Sequence, residues 1–146
     1  MHIAERFYHR AVEFCSYIEN TAITIEEVDR LLEMLMLLYV DAMHLPYGDI
    51  DSVENGSDKR IEEIHPRIEI PDYYQELFDP FNDEDIVGYS LTDDLCDIRH
   101  DLLGGIYEYE AGFHNNAVFC WRHSLDTHWG KHATDAMRAL HCLRTR

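Results

Sequence analysis

The sequence predicts an all-α fold, an irregular bundle of four main helices with an acidic, loop-rich middle segment. Four stretches carry apolar residues at helical spacings, signals that start and stop helices bound them, and no stretch alternates convincingly with a period of two. A chain of 146 residues with 46% hydrophobic residues is large enough to bury one core. We therefore expect a single helical domain over residues 1–146.

Two helices are predicted before residue 47. A first helix from about Ala4 to Glu19 is indicated by an apolar face at spacings of three and four, formed by Phe7, Ala11, Phe14, Cys15 and Ile18. Thr24-Ile-Glu-Glu27 has the form of a capping box, in which the threonine and glutamate side chains accept hydrogen bonds from backbone amides at a helix start. It predicts a second helix that ends near His44.

The middle segment, residues 47–71, carries acidic residues with Pro, Gly and Ser, and it predicts loops apart from a short alternation from Arg67 to Ile70. Pro71 suits the first turn of a helix, so a short helix is expected after it. The apolar side of this short helix is expected to consist of Tyr73, Tyr74, Leu77 and Phe78.

The last two main helices are predicted after Ser90. Ser90-Leu-Thr-Asp93 is a second capping arrangement and predicts a helix to about Gly112. The pair Asn115-Asn116 suits a turn and an N-cap, so the last helix is expected from about Ala117 to Leu143 with Gly130 as a weak point.

Negative charge is concentrated in the first part of the chain. The chain carries 29 acidic residues against 12 Lys and Arg, a net charge of -17, and residues 1–90 hold 21 of the acids but only 6 of the bases. Such a field repels nucleic acid and anionic membranes and attracts basic partners, although solubility alone also accounts for net negative charge. We expect no direct binding to nucleic acid or to a membrane.

The densest acidic stretch, residues 49–85, is the expected binding surface for a basic protein partner. It carries 13 acids and 3 bases with aromatic residues among them. Because catalytic motifs are missing, this pattern predicts an acidic interaction protein, such as an inhibitor of a basic toxin in the manner of immunity proteins; a homodimer also stays open. The expected contact residues are Asp72, Tyr73, Tyr74, Glu76, Phe78, Asp79, Phe81, Asp83, Glu84 and Asp85.

The two helices after Ser90 are predicted to share a polar network. An acidic stripe runs along one side of the first, at Asp94, Asp97, Asp101 and Glu108. The second is rich in basic residues and carries His128 and His132 in the same row as apolar residues, so both are expected to be buried and to need partners. Gly104, Gly105 and Gly130 allow the two backbones to approach closely. The expected network consists of Asp94, Asp97, Asp101, Arg122, His128, His132 and Arg138.

A metal site is the alternative interpretation of the same residues. His128 and His132 lie on adjacent helical turns, and Asp94, Asp97 or Asp101 can complete the coordination of a divalent metal. The protein is then a metal-binding protein or a metal-dependent enzyme. Under the first interpretation no cofactor is expected, and an enzyme is the less favoured hypothesis.

Two further chemistries have weaker support. Asp51-Ser-Val-Glu-Asn-Gly56 followed by Glu62 nearly matches an EF-hand calcium loop, but Val53 stands where an oxygen ligand is needed. Cys120 lies three residues before His123 without any oxyanion feature, so nucleophilic catalysis is not predicted.

The expected location is the cytoplasm. No apolar run is long enough to span a membrane, and the N-terminal residues lack the features of a secretory signal. The four cysteines show no paired spacing and are expected to be free thiols: Cys15, Cys96, Cys120 and Cys142.

Three segments together resemble a bacterial family pattern. They are Tyr74 to Phe81, Ser90 to Asp101, and Trp121 to His141 with its His128-Trp-Gly-Lys-His132 centre. The chain resembles the domain of unknown function 5063, best over residues 73–143. The resemblance implies a helical fold and a family pattern centred on the predicted Asp and His network. It implies no catalytic residue, because that family has no established activity.

Overall fold

The computed structural model describes residues 2–51, 57–82 and 84–146, and it confirms the predicted all-α bundle with one small β-hairpin added. The elements are α1 (Ile3–Asn20), α2 (Val28–Met43), β1 (Tyr73–Leu77), β2 (Ile86–Ser90), α3 (Leu91–Glu110), α4 (His114–Ser124) and α5 (Gly130–Arg144). A 3₁₀ turn, Ile25–Glu27, leads into α2, and a π-helical turn, Leu125–Trp129, joins α4 to α5. Among the described residues, no helix combines the length and apolar character needed to cross a membrane.

The core is built around two tryptophans. Trp121 and Trp129 are fully buried and pack on Phe7 of α1, with ring centroids 4.9 Å and 6.4 Å away. The indole N–H of Trp121 donates to the carbonyl of Leu102 at 3.0 Å, and that of Trp129 donates to the carbonyl of Trp121 at 3.1 Å. Because both donors are satisfied, these large side chains are buried without an unpaired polar group. They hold α1 and α3 against the last helical segment.

Two predicted helix starts have different outcomes. The hydroxyl of Ser90 accepts a hydrogen bond from the amide of Asp93 at 3.0 Å, so α3 begins as expected. The capping box at Thr24 is wrong, because the Thr24 side chain makes no capping hydrogen bond. The carboxylate of Glu27 instead accepts from the hydroxyl of Tyr17 at 2.6 Å.

The short helix expected after Pro71 is also wrong. Residues Tyr73–Leu77 form β1, which pairs antiparallel with β2 so that Tyr73 lies opposite Ser90. Along β1 the side chains alternate, since Tyr73 is 84% exposed and Tyr74 is half-buried. The same five residues fit a helical face and a strand, and a segment this short contains too few residues for periodicity to decide.

The last helical segment begins earlier than expected. Asn115 and Asn116 lie in the first turn of α4 rather than before it. The carboxylate of Asp51 accepts from their backbone amides at 2.9 Å and 3.3 Å, so the cap comes from a distant part of the chain. Asp51 belongs to the segment that resembles an EF-hand loop, whose residues 52–56 lie outside the described residues.

Two adjacent glycines of α3 provide a test of the packing between α3 and α4. A Cβ at Gly105 would lie 2.1 Å from Nε1 of Trp121, whereas a Cβ at Gly104 would have no atom within 4 Å. Gly105→Ala is expected to lower the free energy of unfolding by about 1–3 kcal/mol through overpacking. Gly104→Ala is expected to raise it by about 0.5–1 kcal/mol, because alanine loses less conformational entropy in a helix. Urea denaturation measures both, and equal effects would contradict the close approach at Gly105.

Candidate metal centre

Three aspartates of α3 face the last helical segment. Steps of three and four place Asp94, Asp97 and Asp101 on one side of α3. Asp94 is buried, Asp101 is mostly buried, and Asp97 is close to half exposed. Asp97, the middle carboxylate of this row, is therefore the most exposed of the three.

Two histidines lie on either side of Gly130, in the π-helical turn and in α5. The amide of Gly130 donates to the carbonyl of Leu125, and a Cβ at this position would lie 2.2 Å from that oxygen. Glycine is therefore required where the wide turn ends. Such turns insert an extra residue and redirect side chains, and they are frequent at functional sites. The rings of His128 and His132 are 4.9 Å apart and nearly perpendicular.

Each histidine is held through its Nδ1 atom by a carboxylate of α3. Nδ1 of His128 lies 2.7 Å from Asp101, and Nδ1 of His132 lies 2.8 Å from Asp94. A neutral imidazole that donates from Nδ1 carries its free lone pair on Nε2, which is the atom that binds a metal. The two carboxylates thus set both the tautomer and the direction of the rings.

The Nε2 atoms of both histidines face Asp97. Oδ2 of Asp97 lies 3.0 Å from Nε2 of His132 and 3.8 Å from Nε2 of His128. One donor atom from each of the three residues lies within 4.8 Å of the other two. Ligands bound to one metal at its usual bond lengths lie roughly 3–4 Å apart, so the spacing is close to that of a metal site. The side chains of Asp97 and His128 are 44% and 48% exposed; the expected burial of His128 is wrong.

Tyr74 extends this hydrogen-bond chain into the hairpin. Its hydroxyl donates to Oδ2 of Asp94, whose other oxygen is the partner of His132. Burial raises the pKa of Asp94 despite these two hydrogen bonds, which act to lower it. Burial and the bond to Asp94 also raise the pKa of Tyr74, so its hydroxyl keeps its proton and remains a donor. The sequence predicts Tyr74 as a contact for a protein partner. Its side chain instead points inward, because side chains alternate along β1, and this strand was not predicted.

The two arginines predicted for the network contact other elements. Arg122 donates to the carbonyls of Ala42 at 3.3 Å and Met43 at 2.8 Å, at the end of α2. Arg138 pairs with Glu76 of β1 at 3.0 Å. This part of the prediction is wrong, because helical phase does not show which neighbouring element a long side chain meets. Glu108, the last member of the acidic stripe, lies near the start of α4 and is contacted by Asn116.

Some of the predicted partner-binding residues take part in the fold itself. Asp72 accepts from the amide and the hydroxyl of Thr92 at 2.8 Å and 2.9 Å, and so supports the first turn of α3. Glu76 is paired with Arg138. Asp72, Tyr74 and Glu76 thus hold the hairpin against α3 and α5.

The remaining predicted partner-binding residues lie mainly on the outside of the hairpin. Tyr73 and Phe81 are 84% and 97% exposed, and the ammonium of Lys131 lies 4.9 Å from the centre of the exposed ring of Phe78. Asp83 lies outside the described residues. Of the other acids of this surface, Glu84 and Asp85 are exposed and Asp79 is half-buried.

Comparison with known proteins supports the family and the fold. A family model described as a domain of unknown function (DUF5063) matches residues 1–146, the whole chain, so the resemblance predicted from the sequence is confirmed. The crystal structure of protein BF1032 from Bacteroides fragilis is similar, with a TM-score of 0.74 and 20% sequence identity over 100% of this chain and 97% of that chain. At this identity the likeness shows the fold alone. No curated protein matches the chain.

The pair of His132 and Asp94 predicts how the metal-free protein depends on pH. The hydrogen bond to Asp94 raises the pKa of His132 above its ordinary value of 6.5. The stabilisation is therefore fully present below pH 6.5 and is lost as the pH rises through the folded-state pKa. An NMR titration of the imidazole measures this pKa, and Asp94→Asn is expected to lower it. A pKa of His132 below 6.5 in the metal-free protein would contradict the pairing.

Proposed function

The chain belongs to the family described as domain of unknown function DUF5063, a description that names no activity, and we propose from the site itself that the protein binds a divalent metal ion through Asp97, His128 and His132. One observation carries the proposal. Both histidines are bound through Nδ1 to their own carboxylates while both Nε2 atoms face a third carboxylate. This is the arrangement in which a histidine ligand is oriented by an outer carboxylate.

A purely structural network explains the third carboxylate less well. Asp94 and Asp101 are enough to satisfy one nitrogen of each histidine, and Asp97 adds another negative charge beside them. At pH values above the raised pKa of His132, where this histidine is neutral, the three aspartates repel one another, because bringing like charges together is unfavourable. A divalent cation between Asp97 and the two Nε2 atoms compensates this charge.

The donor set favours a late first-row metal ion such as Zn²⁺ or Fe²⁺. Imidazole nitrogen suits these ions, whereas Mg²⁺ and Ca²⁺ prefer oxygen ligands throughout. Three protein ligands leave coordination positions open for water or a substrate, which is typical of catalytic rather than structural sites. A pocket of about 280 Å³ shares Asp97 with the centre. The proposal therefore includes a metal-dependent enzyme.

Titration of the untagged, metal-free protein with Zn²⁺ or Co²⁺ tests this function. We expect one ion per chain, and at a metal concentration 100-fold above Kd the free energy of unfolding rises by about 2.7 kcal/mol. Replacing a ligand, as in His128→Ala, is expected to weaken binding at least 100-fold. Replacing the outer carboxylate, as in Asp101→Asn, is expected to weaken it roughly 10–100-fold.

The matched control for this titration is His141→Ala. His141 is an exposed histidine of α5 that does not belong to the cluster, so its replacement should leave the affinity unchanged. The d–d absorption of bound Co²⁺ reports nitrogen and oxygen coordination, and it should change in Asp97→Asn. Binding that His128→Ala and His141→Ala weaken equally would point to surface histidines and would rule out the proposed centre.

A second candidate function is binding of a basic protein partner at the outside of the hairpin. The observation that favours it is the exposure of Tyr73, Phe81 and Ile86 beside exposed acidic residues. Exposed aromatic residues next to complementary charge are typical of binding surfaces. The partner surface proposed here is smaller than the one that the sequence predicts, and it leaves out Asp72 and Glu76 because both have contacts within the fold.

In-cell photo-crosslinking tests this second candidate. A photoreactive residue in place of Ile86 is expected to capture a basic protein, and capture should decrease as salt is raised because complementary charges are screened. The double variant Tyr73→Ser/Phe81→Ser should lose the product, while a photoreactive residue at Ile25, which is also exposed but lies outside the hairpin, should give none. An acidic partner, or capture insensitive to salt, would count against the proposal.

A further inference from the structure

A pocket of about 280 Å³ lies beside the candidate metal centre, between α3 and the segment of residues 61–65. We call it the α3 pocket. Asp97 belongs to both sites, since it lines the pocket and offers an oxygen to the cluster that it forms with His128 and His132. A molecule in the α3 pocket therefore lies next to the proposed metal ion.

The two walls of the α3 pocket are fixed to each other by hydrogen bonds. Arg99 of α3 is buried, and its guanidinium donates to the backbone carbonyl of Glu62 at 2.9 Å. The thiol of Cys96 donates to the carbonyl of Ile64 at 3.8 Å. These contacts hold residues 61–65 against α3, so the pocket is already formed in the metal-free chain.

Apolar side chains form the more buried part of the α3 pocket. Ile61 and Ile64 are partly buried and pack against the hydrophobic core. Cys96 is half-buried on the opposite wall. Because these three side chains carry no charge, an occupant gains free energy by burying an apolar body against them.

Unpaired carboxylates surround the α3 pocket. Glu62, Glu63 and Asp93 line it in addition to Asp97, and all three are exposed. No lysine or arginine of the described residues forms an ion pair with these three side chains. The charges of Glu63, Asp93 and Asp97 all act on the thiol of Cys96, so these carboxylates lie around one part of the pocket.

The basic groups of the α3 pocket do not compensate these carboxylates. Of the described residues that line it, Arg99 is the one arginine or lysine, and it is paired with Glu19 at 2.9 Å. His65 and His100 are exposed, and Nδ1 of His100 lies 3.9 Å from Asp101. The α3 pocket therefore attracts cations and disfavours anions.

We propose, on the basis of the metal-binding function proposed above, that the α3 pocket holds the substrate of the centre and that this substrate is a small organic cation with an apolar body. Its ammonium or guanidinium group lies between Glu63 and Asp93. Asp93 precedes Asp97 by one helical turn, about 6 Å along the axis, so the cationic group stays away from the metal ion.

The end of the substrate beside Asp97 is a neutral group such as an amide carbonyl, which a metal ion polarises. Negatively charged groups are disfavoured at this end, because the carboxylates that line the pocket repel them. The α3 pocket therefore excludes phosphate esters and carboxylates as substrates.

Binding of small probes to the metal-free protein tests the α3 pocket. Benzylamine, benzyl alcohol and benzoate share an apolar ring and differ in charge. Benzylamine is expected to bind about tenfold more tightly than benzyl alcohol or ethylamine, and benzoate is expected not to bind. Changes in the backbone amide NMR signals of residues 61–65 and Cys96 report the location. Equal binding of the three ring compounds, or changes confined to another surface, would overturn the proposal.

Replacing one carboxylate separates the pocket from the net charge of the chain. Glu63→Gln is expected to weaken benzylamine binding about tenfold, and Glu63→Lys is expected to allow benzoate to bind. Glu33→Gln is the matched control, because Glu33 is an exposed glutamate of α2 that does not line the pocket. Equal effects of Glu63→Gln and Glu33→Gln would show attraction by net charge alone and would contradict the pocket.

A probe with a carbonyl distinguishes the substrate pocket from the metal-binding function. In the Co²⁺-loaded protein, para-aminomethylbenzamide is expected to change the d–d absorption, whereas benzylamine, which lacks the carbonyl, is not. Glu63→Gln should weaken this effect without changing the affinity for Co²⁺. Absence of Co²⁺ binding would refute the metal-binding function even if benzylamine binds. Co²⁺ binding with the same absorption in both probes would overturn the substrate pocket alone.

Discussion

Two hydrogen bonds, from Nδ1 of His128 to Asp101 and from Nδ1 of His132 to Asp94, connect α3 with the last helical segment and determine the direction of both rings. They form only because the two elements are held at a fixed distance. The buried indole of Trp121 sets that distance by packing on Gly105 and donating to the backbone of α3. A side chain as small as that of alanine at residue 105 would separate the elements. The geometry of the candidate metal centre thus depends on the core contact between Trp121 and Gly105, although neither residue belongs to the centre.

The acidic residues of this chain have several different surroundings, although the sequence presents them as one surplus. Asp41 is buried between arginines, Asp51 caps α4, and Asp72 supports the start of α3. Asp94 and Asp101 of α3 orient histidines, and Glu84 and Asp85 are exposed on the outer side of the hairpin. Net charge therefore does not show which acidic residues are exposed and which have contacts within the fold.

The long elements and the acidic row of α3 could be predicted from the sequence because each repeats a spacing over several turns. The pairing of this row with His128 and His132 follows from the same spacing on two neighbouring helices. The hairpin could not be predicted, since strands of five residues acquire their period only in contact with each other. The π-helical turn could not either, because its only local sign is Gly130, which the sequence shows as a point of weakness. The partners of Arg122 and Arg138 depend on tertiary neighbours that no periodicity contains.

The alternation of β1 gives two adjacent tyrosines opposite surroundings. Tyr73 lies on the outer surface, and Tyr74 points inward to Asp94, which in turn holds His132. Two hydrogen bonds that share the carboxylate of Asp94 therefore connect the hairpin to a histidine of the candidate centre. A change that shifts β1 alters the position of Asp94, the acceptor that orients the ring of His132. Because coupling between two sites is reciprocal, anything that fixes this ring also favours the present position of β1. The hairpin is thus both an outer surface of the protein and part of the support of its most chemically distinctive cluster.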